Sequence, residues 1–167
     1  TGDDIAEAVG MSTRTLWRYF PTKESCVRPL LTSGLDLMVE HLRTWPRGMS
    51  LVEHVESRGA FTEEVDRIEA PVGDLVRMTG QEPGLMAVWL QVHHSAEQVF
   101  AEILAEREAG DPEALSARIR AATLNAALRV AAEQWAARQP PADPPLLGEL
   151  VRSALVSAGW GDETLST

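Results

Sequence analysis

The feature that most constrains the fold is the spacing of the apolar residues, which follows the period of an α-helix along almost the whole chain. The clearest stripe lies between residues 83 and 109 and consists of Leu85, Val88, Trp89, Val92, Ala96, Val99, Phe100, Ile103 and Leu104. At 3.6 residues per turn these positions share one face of a helix. No segment shows the alternation of polar and apolar residues that is typical of a half-buried strand. The sequence therefore predicts an all-α fold.

Capping residues and helix breakers divide the chain into a series of predicted helices. They cover residues 1–9, 12–18, 23–45, 51–58, 61–69, 71–79, 83–109, 113–138 and 145–158, with a proline-rich linker at 139–145. Gly10 is expected to end the first helix in the left-handed conformation, and Pro112 is expected at a helix start. In the helix over 23–45, Pro29 is expected to kink the helix or loosen its start. Its apolar stripe comprises Val27, Leu30, Leu31, Leu35, Met38 and Leu42.

The composition limits the classes of protein that the chain can belong to. Its 167 residues, 44% of them hydrophobic, carry a formal net charge of −10. No apolar run approaches the roughly 20 residues that a membrane-spanning helix needs, and no secretory signal is recognisable. We therefore predict a cytoplasmic protein with no membrane partner.

The residue pattern does not favour an enzyme. The sequence contains no phosphate-binding loop, no nucleophile elbow and no pair of carboxylates at a catalytic spacing. Its single cysteine, Cys26, excludes a cysteine pair within the chain. We predict neither enzymatic activity nor a cofactor.

The charge is unevenly distributed. Residues 1–30 contain as many basic as acidic residues, so the whole net charge lies in the rest of the chain. Within the stretch DDIAEAVGMSTRTLWRYFPTKE, the second half carries Arg14, Arg18 and Lys23 and no acidic residue until Glu24. An acidic protein with a basic segment at one end is suited to local contact with a polyanion rather than to general coating of nucleic acid.

The same stretch has the pattern of a helix-turn-helix. Ala6 is small where two helices would cross, Gly10 makes the turn, and Ser12 can cap the second helix. We expect Leu16, Tyr19 and Phe20 to face the core. This leaves four side chains free to enter a major groove, where the N-terminal residues of a recognition helix meet base edges: Thr13, Arg14, Trp17 and Arg18. An ordinary helical hairpin with a solvated basic face is the alternative interpretation.

From Ile5 to Lys23 this segment resembles the DNA-binding signature of TetR-family transcriptional regulators. The resemblance implies a homodimeric, all-helical, ligand-responsive regulator, usually a repressor, that binds a double-stranded DNA operator. By position, Thr13, Arg14 and Trp17 match the family's base-contacting sites. Thr1, Thr15, Tyr19 and Lys23 match its phosphate-contacting sites, and Arg18 matches either set. The family has a helix before this segment, so we expect further residues upstream of Thr1.

The rest of the chain is predicted to bind a ligand and to dimerise. We place a DNA-binding domain at 1–45, which includes a connecting helix over 23–45, and a ligand-binding and dimerisation domain at 46–167. The second domain resembles one that is common in actinobacterial members and related to the regulator of the mycofactocin system. The helices over 113–138 and 145–158 carry apolar residues on more than one face, and this predicts that they form a symmetric homodimer interface.

Six residues are predicted to surround a small apolar or aromatic effector: Met78, Met86, Trp89, His93, Phe100 and Leu128. For any one of them, a purely structural role in the core is the alternative. His93 and Glu97, with His94 beside them, have the spacing of a possible ion site, but such a pair is more often a surface contact, and we predict no metal. His93 is better interpreted as a polar anchor in an apolar pocket.

Together these patterns predict a regulator that a small molecule releases from a palindromic operator. Two alternatives remain at this point. One is a DNA-binding dimer that needs no effector and has a filled body. The other is a helical small-molecule-binding protein that does not bind DNA, although this would leave the basic opening segment unexplained.

Overall fold

A computed structural model describes residues 1–59, 72–137 and 146–162, and this part of the chain is helical with no strand. The prediction of an all-α fold is confirmed. In chain order the elements are α1 (Gly2–Ala8), α2 (Thr13–Tyr19), a 3-10 turn (Glu24–Val27), α3 (Arg28–Thr44), α4 (Leu51–Ser57), α5 (helical over 72–79), α6 (Pro83–Glu108), α7 (Leu115–Ala136) and α8 (Leu147–Ser157). The predicted helix over 61–69 and the linker over 139–145 lie outside the described residues.

The predicted helix over 23–45 begins later than expected. Thr22 and Ser25 exchange hydrogen bonds, each backbone N–H donating to the other's hydroxyl oxygen at 3.1 Å, and a 3-10 turn follows. The α-helix starts only at Arg28, with Pro29 in its first turn. Proline is favoured there because its missing N–H would have no partner at that position in any case.

The predicted start of α7 at residue 113 was also too early. The backbone N–H of Glu113 donates to the Asp111 carboxylate at 2.9 Å, and that of Ala114 donates to the Asp111 carbonyl at 3.0 Å. Both groups are thereby held in a turn through Pro112, so the helix begins at Leu115.

Helix α6 is the centre of the core. It packs against α3 on one side and α7 on another, while α8 packs on α7. Phe100 and Leu104 of α6 meet Leu124 of α7 and Leu155 of α8 in one buried cluster, each at most 1% exposed. The predicted stripe over 83–109 is therefore buried, except Val99, which is partly buried. Burial of this stripe holds the three long helices together.

A cluster of aromatic and arginine side chains closes one end of the body. The Arg107 guanidinium lies 3.9 Å from the centre of the Trp45 ring and donates to the backbone oxygens of Trp45 and Pro46 at 2.5 and 2.9 Å. Trp160 packs edge-on against Trp45 at 6.3 Å between ring centres. These contacts tie the C-terminal end of α3 to the end of α6.

Two residues that were expected in the core are exposed instead. Leu30 is 53% exposed, and Tyr19 is 64% exposed. Leu30 lies in the first turn of α3, ahead of the point where that helix enters the core at Leu31. Tyr19 is the last residue of α2, where the chain turns away. Both predictions were wrong, because apolar spacing identifies the face of a helix but not the point along it at which the core begins or ends.

The two apolar faces predicted on α7 are separated by burial. Leu124, Leu128 and Ala131 are buried, whereas Leu115, Ile119 and Val130 are 75%, 54% and 51% exposed.

Among the described helices, none is both long and apolar enough to cross a bilayer.

Candidate functional site

The turn between α1 and α2 is fixed by short-range hydrogen bonds. Gly10 adopts a φ of 67°, as predicted, and this left-handed conformation is one that glycine adopts without strain. The next residue, Met11, donates its backbone N–H to the Ala6 carbonyl at 3.0 Å. Ser12 then caps α2 by accepting from the Thr15 N–H at 3.1 Å. Ala6 and Leu16, each 2% exposed, pack at the crossing of the two helices.

The outer surface of this helix pair is basic. Arg14, Arg18 and Lys23 are exposed, and none of them forms an ion pair within the described part of the chain. Arg18 lies over the Tyr19 ring at 5.0 Å and donates to its hydroxyl at 3.5 Å. Because no acidic side chain neutralises these cations, they are available to a polyanion.

The three threonines of the predicted interface all have partners in the free protein. Thr13 donates to the Asp3 carboxylate at 2.7 Å, and Thr1 donates to the Asp4 carboxylate at 2.7 Å. The hydroxyl of Thr15 is bonded to that of Ser12 at 2.8 Å. A threonine hydroxyl retains acceptor capacity when it donates, but donation to DNA would require Thr1 and Thr13 to release an aspartate.

Trp17 has a structural role that the sequence did not indicate. A Cβ added at Gly2 would overlap the Trp17 six-membered ring, so the indole lies directly against α1. The ring is nevertheless 38% exposed. Trp17 therefore packs α2 on α1 with one side and presents the other at the surface.

The helix pair continues directly into the body of the molecule. The 3-10 turn packs against the start of α6, where a Cβ on Gly84 would come within 3.0 Å of the Glu24 side chain. Helix α3 then runs from this turn into the core. It is in contact with α6 along its path and is tied to it again at Trp45.

A cavity of about 120 Å³ lies beside α3. It is bordered by Leu31, Gly34, Leu35, Leu37, Met38, His41, Val55, Val72, Val76, Trp89, His93, Leu128, Ala132, Trp135, Leu147, Gly148 and Val151. No charged side chain is among these lining residues. The largest share comes from α3, and the rest comes from α4 to α8, so all the described helices of the body border the cavity, which is partly open to the surface.

Three of the six predicted effector-binding residues line this cavity, namely Trp89, His93 and Leu128. The other three do not. Met78 is 48% exposed, because Val72 and Val76 form the inward face of α5. Met86 packs against the core at the start of α6. Phe100 is completely buried in the core, about two helical turns beyond His93.

Sequence analysis missed the contributions of α3 and α8 to this cavity. The signal for α3 was present, since Leu31, Leu35 and Met38 were assigned to its apolar face. His41 follows Met38 by three residues and so lies on that same face. It was not predicted, because the pocket was expected among the helices that follow Trp45.

His93 is held in one orientation by a chain of polar groups. Its Nδ1 is 2.6 Å from Oδ1 of Asn125, and Asn125 donates from Nδ2 to the Glu97 carboxylate at 2.8 Å. The ring also packs edge-on against Trp89 at 4.1 Å. Burial lowers the pKa of His93, and the hydrogen bond to Asn125 only partly opposes this change. The neutral imidazole is therefore favoured at neutral pH.

His41 is the second buried imidazole of the lining. Burial lowers its pKa, and the neighbouring His54 and Arg58 act in the same direction. Its ring lies edge-on to His54 at 5.7 Å.

His93 and Glu97 do not share an ion site, because Asn125 lies between them and is hydrogen-bonded to both. Within the described residues, no group of three His, Cys, Asp or Glu side chains is placed to hold a metal.

Comparisons with known proteins agree with this architecture. Residues 1–30 match the family described as bacterial regulatory proteins, tetR family. Residues 60–158 match the MftR C-terminal domain. The HTH-type transcriptional regulator TcmR of Streptomyces glaucescens is 28% identical over 145 residues, which cover 81% of this chain and 63% of TcmR. The chain thus spans less than two thirds of the length of this curated relative.

The matches cover both the helix-turn-helix and the cavity-bearing body. The C-terminal match alone takes in more than half of the chain. Both matches agree with the helical fold and with the order of its parts. The chain therefore belongs to the TetR family of bacterial regulatory proteins.

Proposed function

We propose that this protein is a cytoplasmic, sequence-specific DNA-binding regulator of transcription that acts as a homodimer. In this proposal residues 1–45 form the DNA-binding domain with its connecting helix, and residues 46–167 form the ligand-binding and dimerisation domain. The observation that carries the proposal is the unpaired basic surface of α2 and its flank, at Arg14, Arg18 and Lys23, on a helix-turn-helix. The description of TcmR as a transcriptional regulator supports the same function.

The contacts with DNA are assigned by position. Arg14, in the first turn of α2, donates to a guanine in the major groove, with Thr13 and Trp17 beside it. Lys23, Tyr19, Thr1 and Thr15 contact phosphates. Arg18 contacts either a base or a phosphate. A symmetric dimer would place two such helices about 34–36 Å apart, on successive turns of a palindrome.

The cavity supports control by a small molecule, with repression as the default state. A DNA-binding dimer with no effector would need no pocket between its helices, whereas this body has one of about 120 Å³ that is partly open to the surface. Helix α3 leads from the helix-turn-helix into the cavity wall, so a ligand that moves α3 changes the spacing of the recognition helices. A coupling of about 1–3 kcal/mol would change operator affinity about 5- to 150-fold.

Selection of bound DNA from a random pool tests this function directly, with the protein in its natural full length. We expect enrichment of a palindrome whose half-sites are one DNA turn apart. A variant with Arg14→Ala and Lys23→Ala provides the control: both side chains are exposed, so we expect the fold to be kept and no sequence to be enriched. Failure of the unaltered protein to enrich any sequence at low salt, where phosphate contacts are strongest, would exclude DNA binding as its function.

A further inference from the structure

Two buried polar atoms in the cavity wall have no hydrogen-bond partner among the described residues. They are Nε2 of His93 and Nε2 of His41, on side chains that are 3% and 5% exposed. Buried polar groups in native proteins are nearly always paired, and an unpaired one is costly. Both imidazole rings border the same cavity, so a molecule bound there would lie beside the two side chains that carry these unpaired atoms.

The hydrogen-bond chain behind His93 determines which kind of group its Nε2 can bind. Asn125 donates its amide N–H to Glu97, and this fixes its Oδ1 as the atom that faces His93. An amide oxygen only accepts, so Nδ1 of His93 must carry the proton. In the neutral ring the other nitrogen then has a free lone pair. His93, in the cavity wall, therefore carries an unpaired hydrogen-bond acceptor.

The rest of the cavity restricts the size and charge of its occupant. A cavity of about 150 Å³ lined by apolar side chains holds one benzene molecule in a well-known engineered case, and this one measures about 120 Å³. No cationic side chain is among its described lining residues, so none of them would partner a buried anion. Trp89, Trp135 and the aliphatic residues in the lining favour an apolar or aromatic occupant.

From these observations we infer that the effector is a small neutral hydroxyaromatic molecule, about one ring in size, whose O–H donates to Nε2 of His93. The inference rests on the proposed function, since it names the class of ligand that the regulator senses. His93 is then a specificity residue: it distinguishes a phenol from a methylated ring of the same shape. Asn125 and Glu97 act through it as positioning residues.

Binding of phenol and toluene to the full chain tests the inference without DNA. The two molecules have nearly the same shape, and only phenol can donate a hydrogen bond. Titration followed by NMR should give phenol an affinity about tenfold higher, as one net hydrogen bond provides. His93→Leu should reduce the ratio of the phenol affinity to the toluene affinity to about one. His94→Leu changes the next residue of α6, which is exposed, and should leave the preference intact.

A second measurement needs no variant. Nitrogen-15 spectra of the histidine side chains in the unaltered protein should show His93 protonated on Nδ1 and unprotonated on Nε2, with the Nε2 resonance shifting when phenol binds. Equal affinities for phenol and toluene, failure of both to bind, or a proton on Nε2 would each overturn the inference.

The same samples separate this inference from the function on which it rests. Operator binding is measured by fluorescence anisotropy, using the palindrome obtained by selection. A protein that binds its operator but shows no preference for phenol overturns the inference alone. A protein that prefers phenol but selects no DNA overturns the proposed function, whereas the preference of the cavity for a hydroxyaromatic molecule would still hold.

Discussion

At the scale of single residues, the proposed DNA interface divides its side chains into free cations and paired hydroxyls. Arg14 and Lys23 are exposed and carry no ion pair within the described chain, whereas Thr13 already donates to Asp3. DNA can thus bind to these cations without the loss of an ion pair within the protein. We therefore expect the arginine and the lysine to contribute more to affinity than the threonines do.

Arg14 and Lys23 should differ in what they contribute. Arg14→Ala should cost about 1–3 kcal/mol at one base pair of the operator and relax the preference there, because it removes a contact with a base edge. Lys23→Ala should weaken binding to all sequences about equally and reduce the salt dependence by one phosphate contact. Affinities for the operator and for single-base variants, measured at several salt concentrations, check both expectations.

Arg77→Ala is the matched control, since it removes the same charge from an exposed position on α5, outside the proposed DNA and dimer surfaces, and should change nothing at the operator. A uniform loss across all sequences for Arg14→Ala would contradict a base contact. An unchanged salt slope for Lys23→Ala would contradict a phosphate contact.

Only some residues of the cavity could be predicted from the sequence. Trp89, His93 and Leu128 were predicted because they share the inward face of long, strongly periodic helices. Met78 was not separable from them, since the spacing within the short helix α5 does not decide which face turns inward. The partner of His93 was also unpredictable: Asn125 lies 32 residues away, and only the packing of α7 on α6 brings them together.

At the scale of the helices, periodicity predicted where elements lie, and local hydrogen bonds decided where they begin. The bounds of α6 follow from its stripe and from Pro83. In contrast, the start of α3 depends on the Thr22–Ser25 pair and Pro29, and that of α7 depends on Asp111. Such turns are stabilised by a few side-chain contacts of about 1 kcal/mol each. The spacing of apolar residues carries no information about these contacts, so it does not predict the first residue of the helix.

The contact of α5 with α7 can be tested at a glycine. A Cβ on Gly73 would lie 2.5 Å from the Trp135 ring, so Gly73→Ala must displace an indole that also borders the cavity. We expect a loss of about 1–3 kcal/mol in the free energy of unfolding, as for other overpacked sites. Urea unfolding followed by tryptophan fluorescence measures this change.

Gly34 in α3 provides the comparison, because a Cβ there meets no atom within 4 Å. Gly34→Ala removes a flexible residue from a helix interior and should stabilise the protein by up to about 1 kcal/mol. Opposite signs for the two substitutions are expected. If both stabilised the protein to the same extent, Trp135 would not be held against α5.

At the scale of the whole molecule, two surfaces of the described residues have the character of binding surfaces. One is the basic surface at Arg14, Arg18 and Lys23. The other is the apolar face of α7 at Leu115, Ile119 and Val130, continued on α8 by Val156, which is 50% exposed. The sequence predicted this second face from surplus apolar spacing, but spacing does not specify what covers it. Pairing of two copies through α7 and α8 would cover it and provide two recognition helices at once.

Ile119→Glu should disrupt this pairing, because two buried carboxylates would face an apolar interface without partners. We expect the mass measured by light scattering to fall from two chains to one. Operator affinity should fall about 10²- to 10⁴-fold, since the second half-site is then no longer linked to the first. Leu90→Glu introduces the same charge at a similarly exposed position, 50% against 54%, but on α6, and should leave both properties unchanged. A variant at Ile119 that stays dimeric would place the interface elsewhere, whereas equal dissociation by both variants would show that added charge alone separates the chains.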